Sequence, residues 1–184
     1  MKENKNKVCP VESAGALDNP LRRFLQNPEK ILKPYLKEND KALDLGCGPG
    51  FFSIEMAKIV GEKGKVISAD LQDGMLEKVK KKIFGTNLEQ RIILYKCKSN
   101  KIGLKEKVDF ILAFFMIHEV PDQDKMFNEL KEILTKAGKL LIVEPNFHVS
   151  KKAFSEMIIK LEKLGFKVIE KPKMLFCRSV LLIL

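Results

Sequence analysis

Arginine is scarce in this chain. Only Arg22, Arg23, Arg91 and Arg178 stand among 34 basic residues, so lysine carries nearly all of a formal net charge of +10. Arginine's planar fork suits phosphate and base recognition, whereas lysine is a hydrated point charge suited to a solvated surface. The lysines are dispersed and aromatics are not interleaved among them, which favours a solubilising surface over an RNA footprint. RNA stays open as an alternative partner. No apolar run reaches spanning length, so no membrane partner is expected. Residues 1–7 are polar and charged, without the apolar core of a secretory signal, and no leader is expected. Cys9, Cys47, Cys97 and Cys177 are scattered, with no C-x-x-C pair and no histidine nearby. That spacing suits free thiols in a reducing cytoplasm and excludes a zinc site. Histidine occurs twice, at His118 and His148.

What the chain does have is apolar material, 45% of 184 residues, enough for one domain with a full core. The stretch 42–57, ALDLGCGPGFFSIEMA, organises the rest. A short apolar run closed by an acid suits a buried parallel strand. Gly46, Gly48 and Gly50 follow on alternate positions, and then apolar residues recur at helical spacing through Val60 to a stop at Gly61. The reading is strand, glycine turn, helix. Such a turn lets a ligand approach the main chain, with free N–H groups of the helix behind it.

A dinucleotide fingerprint would place a third glycine where Phe51 stands, so that pattern fails. An acid two residues before G-x-G-x-G resembles motif I of the class I methyltransferases that use S-adenosylmethionine. The resemblance implies that Asp44 helps hold the cofactor's ammonium group. It also implies that Gly46, Cys47, Gly48, Gly50 and Phe51 line its amino-acid and ribose moieties.

The remaining chain alternates. Residues 1–17 read as a flexible tail, and 18–184 as one domain. Asn19-Pro20 and Asn27-Pro28 each offer a cap before a first-turn proline, predicting helices over 20–26 and 28–33. Leu21, Phe24, Leu25, Ile31 and Leu32 give that segment, 18–37, an apolar face to dock as a lid or a scaffold. Strands are predicted at 65–69, 92–95, 108–115 and 140–143 in the core, 38–184. A helix on Met75, Leu76, Val79 and Ile83 follows the first. Asp122 caps a helix that carries Phe127, Leu130, Ile133 and Leu134 and stops at Gly138. Ser150 opens another that stops at Gly165. Strands at 166–171 and 177–184 have no room for a crossover, so they pair antiparallel. The expected fold is α/β, a Rossmann-like methyltransferase fold. Its seven-stranded, mostly parallel sheet has a reversed C-terminal strand and helices on both faces.

Ligands of open α/β sheets sit beyond the carboxyl ends of the strands. Asp70 ends the second strand, and the resemblance assigns it the ribose hydroxyls. Leu71 and Ile102 flank the place for adenine. After the third strand, related enzymes often carry an acid where Lys98 stands, and lysine cannot accept a hydrogen bond. Adenine recognition is therefore expected from Ser99 and Asn100. Phe115 ends the fourth strand beside the cofactor. The segment 114–122 resembles the corresponding one in quinone-biosynthesis methyltransferases and in plant O-methyltransferases. In the latter, a histidine at the place of His118 is the general base. Glu119 could orient it, and Glu144 and His148 are further polar groups expected on the same crevice. No Asp/Asn-Pro-Pro-aromatic string and no Pro-Cys pair follows the fourth strand, which disfavours base-amino and cytosine methylation. The expectation is methyl transfer from S-adenosylmethionine to a small-molecule acceptor. RNA or protein methylation and a non-catalytic adenosyl-binding module are the alternatives, with no oligomeric state specified.

Overall fold

The computed structural model describes Val11 and residues 20–184. The tail 1–17, Val11 apart, and the Asn19 cap lie outside the described residues. Among those described are six α-helices and seven strands. Helices α1 (Pro20–Leu25) and α2 (Pro28–Leu32) precede β1 (Lys41–Leu45), and α3 (Ser53–Ile59) follows the glycine turn. The core continues with β2 (Lys65–Asp70), α4 (Asp73–Ile83), β3 (Ile92–Lys96) and β4 (Val108–Phe114). A 3-10 turn at Ile117–Glu119 leads to α5 (Gln123–Ile133) and β5 (Leu134–Pro145). Helix α6 (Lys151–Lys163), β6 (Lys167–Glu170) and β7 (Cys177–Ile183) complete the order.

The strands form one sheet in the order β3-β2-β1-β4-β5-β7-β6. Strands β1 to β5 run parallel, and β7 is antiparallel to both β5 and β6. The expected reversed strand is therefore β7, inserted between β5 and the edge. Alternate residues feed two cores. Leu43, Leu45, Ile67, Ile111 and Ile142 face α5 and α6, whereas Ala42, Val66, Phe110, Leu112 and Leu141 face α2, α3 and α4. Near-continuous apolar strands are what a sheet covered on both sides requires.

Caps hold where the sequence placed them. Asn27, Asp122 and Ser150 each accept from the backbone N–H three residues on, and Gly61 and Gly165 end their helices with positive φ. Three expectations fail. Leu134 is not helical: α5 ends at Ile133, Leu134 pairs with Val108 to start β5, and Gly138 sits inside that strand. Phe115 has left its strand, with φ +59. Phe24 and Leu25 do not dock: they are 83% and 43% exposed, and Pro28, Leu32 and Leu36 are buried instead.

Candidate active site

The sheet order reverses between β1, which continues outward through β2, and β4, so a crevice opens at their carboxyl ends. Gly46, Gly48 and Gly50 all have positive φ there, which makes the turn after β1 tight. A Cβ on Gly46 would lie 2.9 Å from the Met116 Cβ, and one on Gly50 would lie 3.0 Å from Val79. The first glycine thus admits the chain after β4, and the third seats the turn on α4.

Two clefts meet at this turn. The larger, about 390 Å³, runs from Leu45 and Gly46 past Leu71 to the loop Cys97–Ile102 and the start of α5. Ser99 and Asn100 line it. The smaller, about 110 Å³, is walled by Asp44, Gly46, Cys47, Gly48, Phe51, Asp70 and Phe115. Gly46, Met116 and Glu119 border both. Gly50 borders neither and acts through the shape of the turn.

The small cleft holds two buried carboxylates. Asp44, 2% exposed, accepts one side-chain hydrogen bond, from Ser53 Oγ at 2.6 Å. Burial, with the Asp70 charge adding to it, pushes its carboxyl up to about 6, against the Ser53 bond. Asp70 accepts from the N–H of Gly48 at 2.9 Å and of Gln72 at 2.8 Å. It stays above the ordinary range because burial outweighs those bonds. Burial likewise raises the Cys47 thiol well up, which suits wall rather than nucleophile.

One participant was not legible in the sequence. Arg22 of α1 reaches over the turn, its guanidinium 4.4 Å from the Phe51 ring centroid, and lines the small cleft. Arg23 anchors the same helix to Glu55 of α3 at 3.1 Å. No pattern marked Arg22, because its partner ring lies 29 residues on.

His118 is placed apart from these groups. Together with Glu144, His148, Gln123 and Lys160 it lines a third cleft of about 270 Å³, between the 3-10 turn and α6. Glu144, 1% exposed, accepts from the Ile117 N–H at 2.8 Å and pairs with His118 Nδ1. That pairing raises His118 above its ordinary value, against the effect of burial. Glu144 is therefore hydrogen-bonded to His118, while Glu119, whose charge also raises His118, borders the two other clefts. His148 stands with its ring centroid 5.3 Å from that of His118.

A methyltransferase-domain family model matches residues 36–173. The chain belongs to that family. A solved S-adenosylmethionine-dependent methyltransferase from Aquifex aeolicus is 31% identical, with a TM-score of 0.86 over 96% of this chain and 100% of that one. A demethylmenaquinone methyltransferase of Lactobacillus johnsonii is 36% identical over 110 residues, 59% of this chain and 45% of that protein. A ubiquinone/menaquinone biosynthesis C-methyltransferase of Haemophilus ducreyi is 29% identical over 59% and 42%. The chain thus spans a little under half the length of these curated relatives. Its fold is the class I methyltransferase fold, and the cofactor of such a domain is S-adenosylmethionine. The residues fit that group. Its sulfonium and ammonium are cations for a cleft with two carboxylates, its ribose hydroxyls are donors for Asp70, and its adenine needs the apolar walls of Leu71, Ile102 and Met126. Among the described residues no helix is long and apolar enough to cross a membrane.

Proposed function

We propose that this methyltransferase domain transfers a methyl group to a small-molecule acceptor in the cytoplasm. The names of the curated relatives make aromatic quinols the class to test first. The observation that carries this reading is the pair Asp44 and Asp70, buried at the ends of adjacent strands around one glycine turn. When bound, the cofactor supplies a methyl carbon already activated by its sulfonium. The protein supplies alignment and charge placement.

In this reading Asp44, held by Ser53, accepts from the ammonium, and Asp70 accepts from the ribose hydroxyls while fixing Gly48. Arg22 sets a cation on the wall facing Asp44, where the amino-acid carboxylate needs one. The described part of segment 18–37 then acts as a lid, because α1 carries Arg22 across the cleft mouth. Phe51 and Phe115 exclude water beside the methyl carbon.

Two proton acceptors are available to an acceptor that ionises. His118, with Nδ1 committed to Glu144, keeps Nε2 for an acceptor seated in the third cleft. An acceptor seated against Phe51 and Phe115 meets Glu119 instead. His118→Ala separates these: a loss in kcat of at least about a hundredfold assigns the base to His118, and turnover within about threefold assigns it elsewhere. Because Glu144 holds His118 protonated beyond its ordinary range, the first case also places the acidic limb of the pH–rate profile above that range.

Calorimetry with S-adenosylmethionine, its demethylated product and NAD tests the cofactor. Binding of NAD without S-adenosylmethionine or its demethylated product would sink the reading. Transfer of a labelled methyl group to a panel of short-chain quinols and to RNA tests the acceptor. Labelled RNA with unlabelled quinols would replace small molecule by nucleic acid.

A further inference from the structure

The adenine end of the large cleft has a gap in its chemistry. Its third-strand loop offers Lys98 where an acceptor is wanted, and an ammonium donates only. Ser99 and Asn100 sit at the exposed tip of a tight turn closed by the backbone pair Lys98 and Lys101. Adenine's exocyclic amine, a donor, needs a fixed acceptor to distinguish it from a carbonyl at the same ring position.

The opposite wall holds one. Glu129 projects from α5 and lines the same cleft. Its Oε2 accepts from the Gly103 N–H at 2.8 Å, tying the end of the 97–103 loop to the helix. Its Oε1 is buried and has no hydrogen-bond partner among the described residues. An orphaned carboxylate oxygen is costly, and such atoms are rare away from sites where a ligand completes them. A small concerted shift of the side chain, pivoting on the bond from Gly103 to Oε2, would bring Oε1 to the cleft that Glu129 already lines.

We propose that Glu129 reads the adenine amine of the cofactor, replacing the acid that the Lys98 position lacks. The proposal rests on the cofactor reading above and deepens it. One oxygen shapes the loop and the other meets the base, so the recognition element moves from the third-strand loop to the opposite helix. A hypoxanthine ring, which carries a carbonyl at that position, would face Glu129 acceptor to acceptor and be rejected.

The test is calorimetry with S-adenosylhomocysteine and its deaminated analogue, S-inosylhomocysteine, on the full chain. Wild type should prefer the adenine form by at least about thirtyfold. Glu129→Gln keeps an acceptor for Gly103 and gains an amide donor, so the preference should collapse to within about threefold. Glu129→Asp, which keeps the charge but withdraws it, is the second variant if the first melts early, and should also lower the preference. Equal weakening of both ligands would overturn the proposal, because Glu129 would then only brace the loop. An unchanged ratio in Glu129→Gln, with a lowered ratio in Ser99→Ala/Asn100→Ala, would return recognition to the third-strand loop. If wild type bound neither ligand, the cofactor reading itself would fail, and binding of the adenine form by wild type with no effect of Glu129 would fail this proposal alone.

Discussion

Asp44 and Glu144 are both buried carboxylates near the carboxyl ends of parallel strands, 2% and 1% exposed. They are treated in opposite ways. Glu144 has a partner for each oxygen, the Ile117 N–H and the His118 ring. Asp44 is bonded by Ser53 and feels the Arg22 charge, but burial and the Asp70 carboxylate outweigh both, and its proton affinity rises to about 6. A carboxylate paired at both oxygens fixes structure, and one whose burial outweighs its partners gains from a further cation. The difference separates the part of the crevice that holds the 3-10 turn from the part proposed above for the cofactor.

That contrast can be broken from either side. Glu144→Ala strands a buried N–H and leaves the imbalance at His118, which is only a quarter exposed, so unfolding should cost about 2–4 kcal/mol less. Denaturant titration would show it, and a loss under about 1 kcal/mol would mean that Glu144 is not structural. Glu144→Gln should lose less, because the amide oxygen still serves Ile117, while the His118 titration should fall by NMR, since burial then acts without its main opponent. Asp44→Asn keeps an acceptor for Ser53 and removes only the charge. Cofactor affinity should fall about ten- to a hundredfold with no loss of ligand-free stability. Asp70→Ala should weaken binding about tenfold or more, and an unchanged affinity would place the ribose contact elsewhere.

The smallest effect is the dependence on pH. Asp44 holds its proton more tightly folded than unfolded, so ligand-free stability falls as pH rises from about 4 to about 6 and levels off above. Cofactor binding has the opposite sign. It favours the ionised carboxylate, so affinity should weaken as pH drops through about 6. Calorimetry at pH 5 and 7.5 on wild type and Asp44→Asn checks this, the variant being flat by comparison.

Much of this was legible from periodicity. Strand runs such as 108–114 and caps such as Asp122 and Ser150 are local signals, and a single physical cause fixes each. Gly138 misled because helix-stopping glycine and in-strand glycine look alike, and pairing of Leu134 with Val108 decided the matter from 26 residues away. Phe24 misled because an apolar residue on a short helix need not face inward. The partner of His118 was out of reach for a related reason. Glu119 is adjacent in sequence, whereas Glu144 is adjacent through the β4–β5 pairing. Glu129 was invisible, since an orphaned oxygen is a property of packing and not of residue type.

Gly46, Met116 and Glu119 form a shared wall between the cleft proposed for the base and the cleft that holds Asp70 for the ribose and Asp44 for the amino acid. The cofactor is then a bivalent ligand whose two heads are joined through one sulfur. Adenosine and methionine offered as separate molecules should each hold weakly, and joining them should raise affinity about a hundred- to ten-thousandfold through effective concentration alone. Gly46→Ala would drive a methyl group against Met116 and shift that wall. Each fragment would still bind, but the joined molecule would span a mismatched gap, and the advantage of the tether would shrink while fragment binding survived.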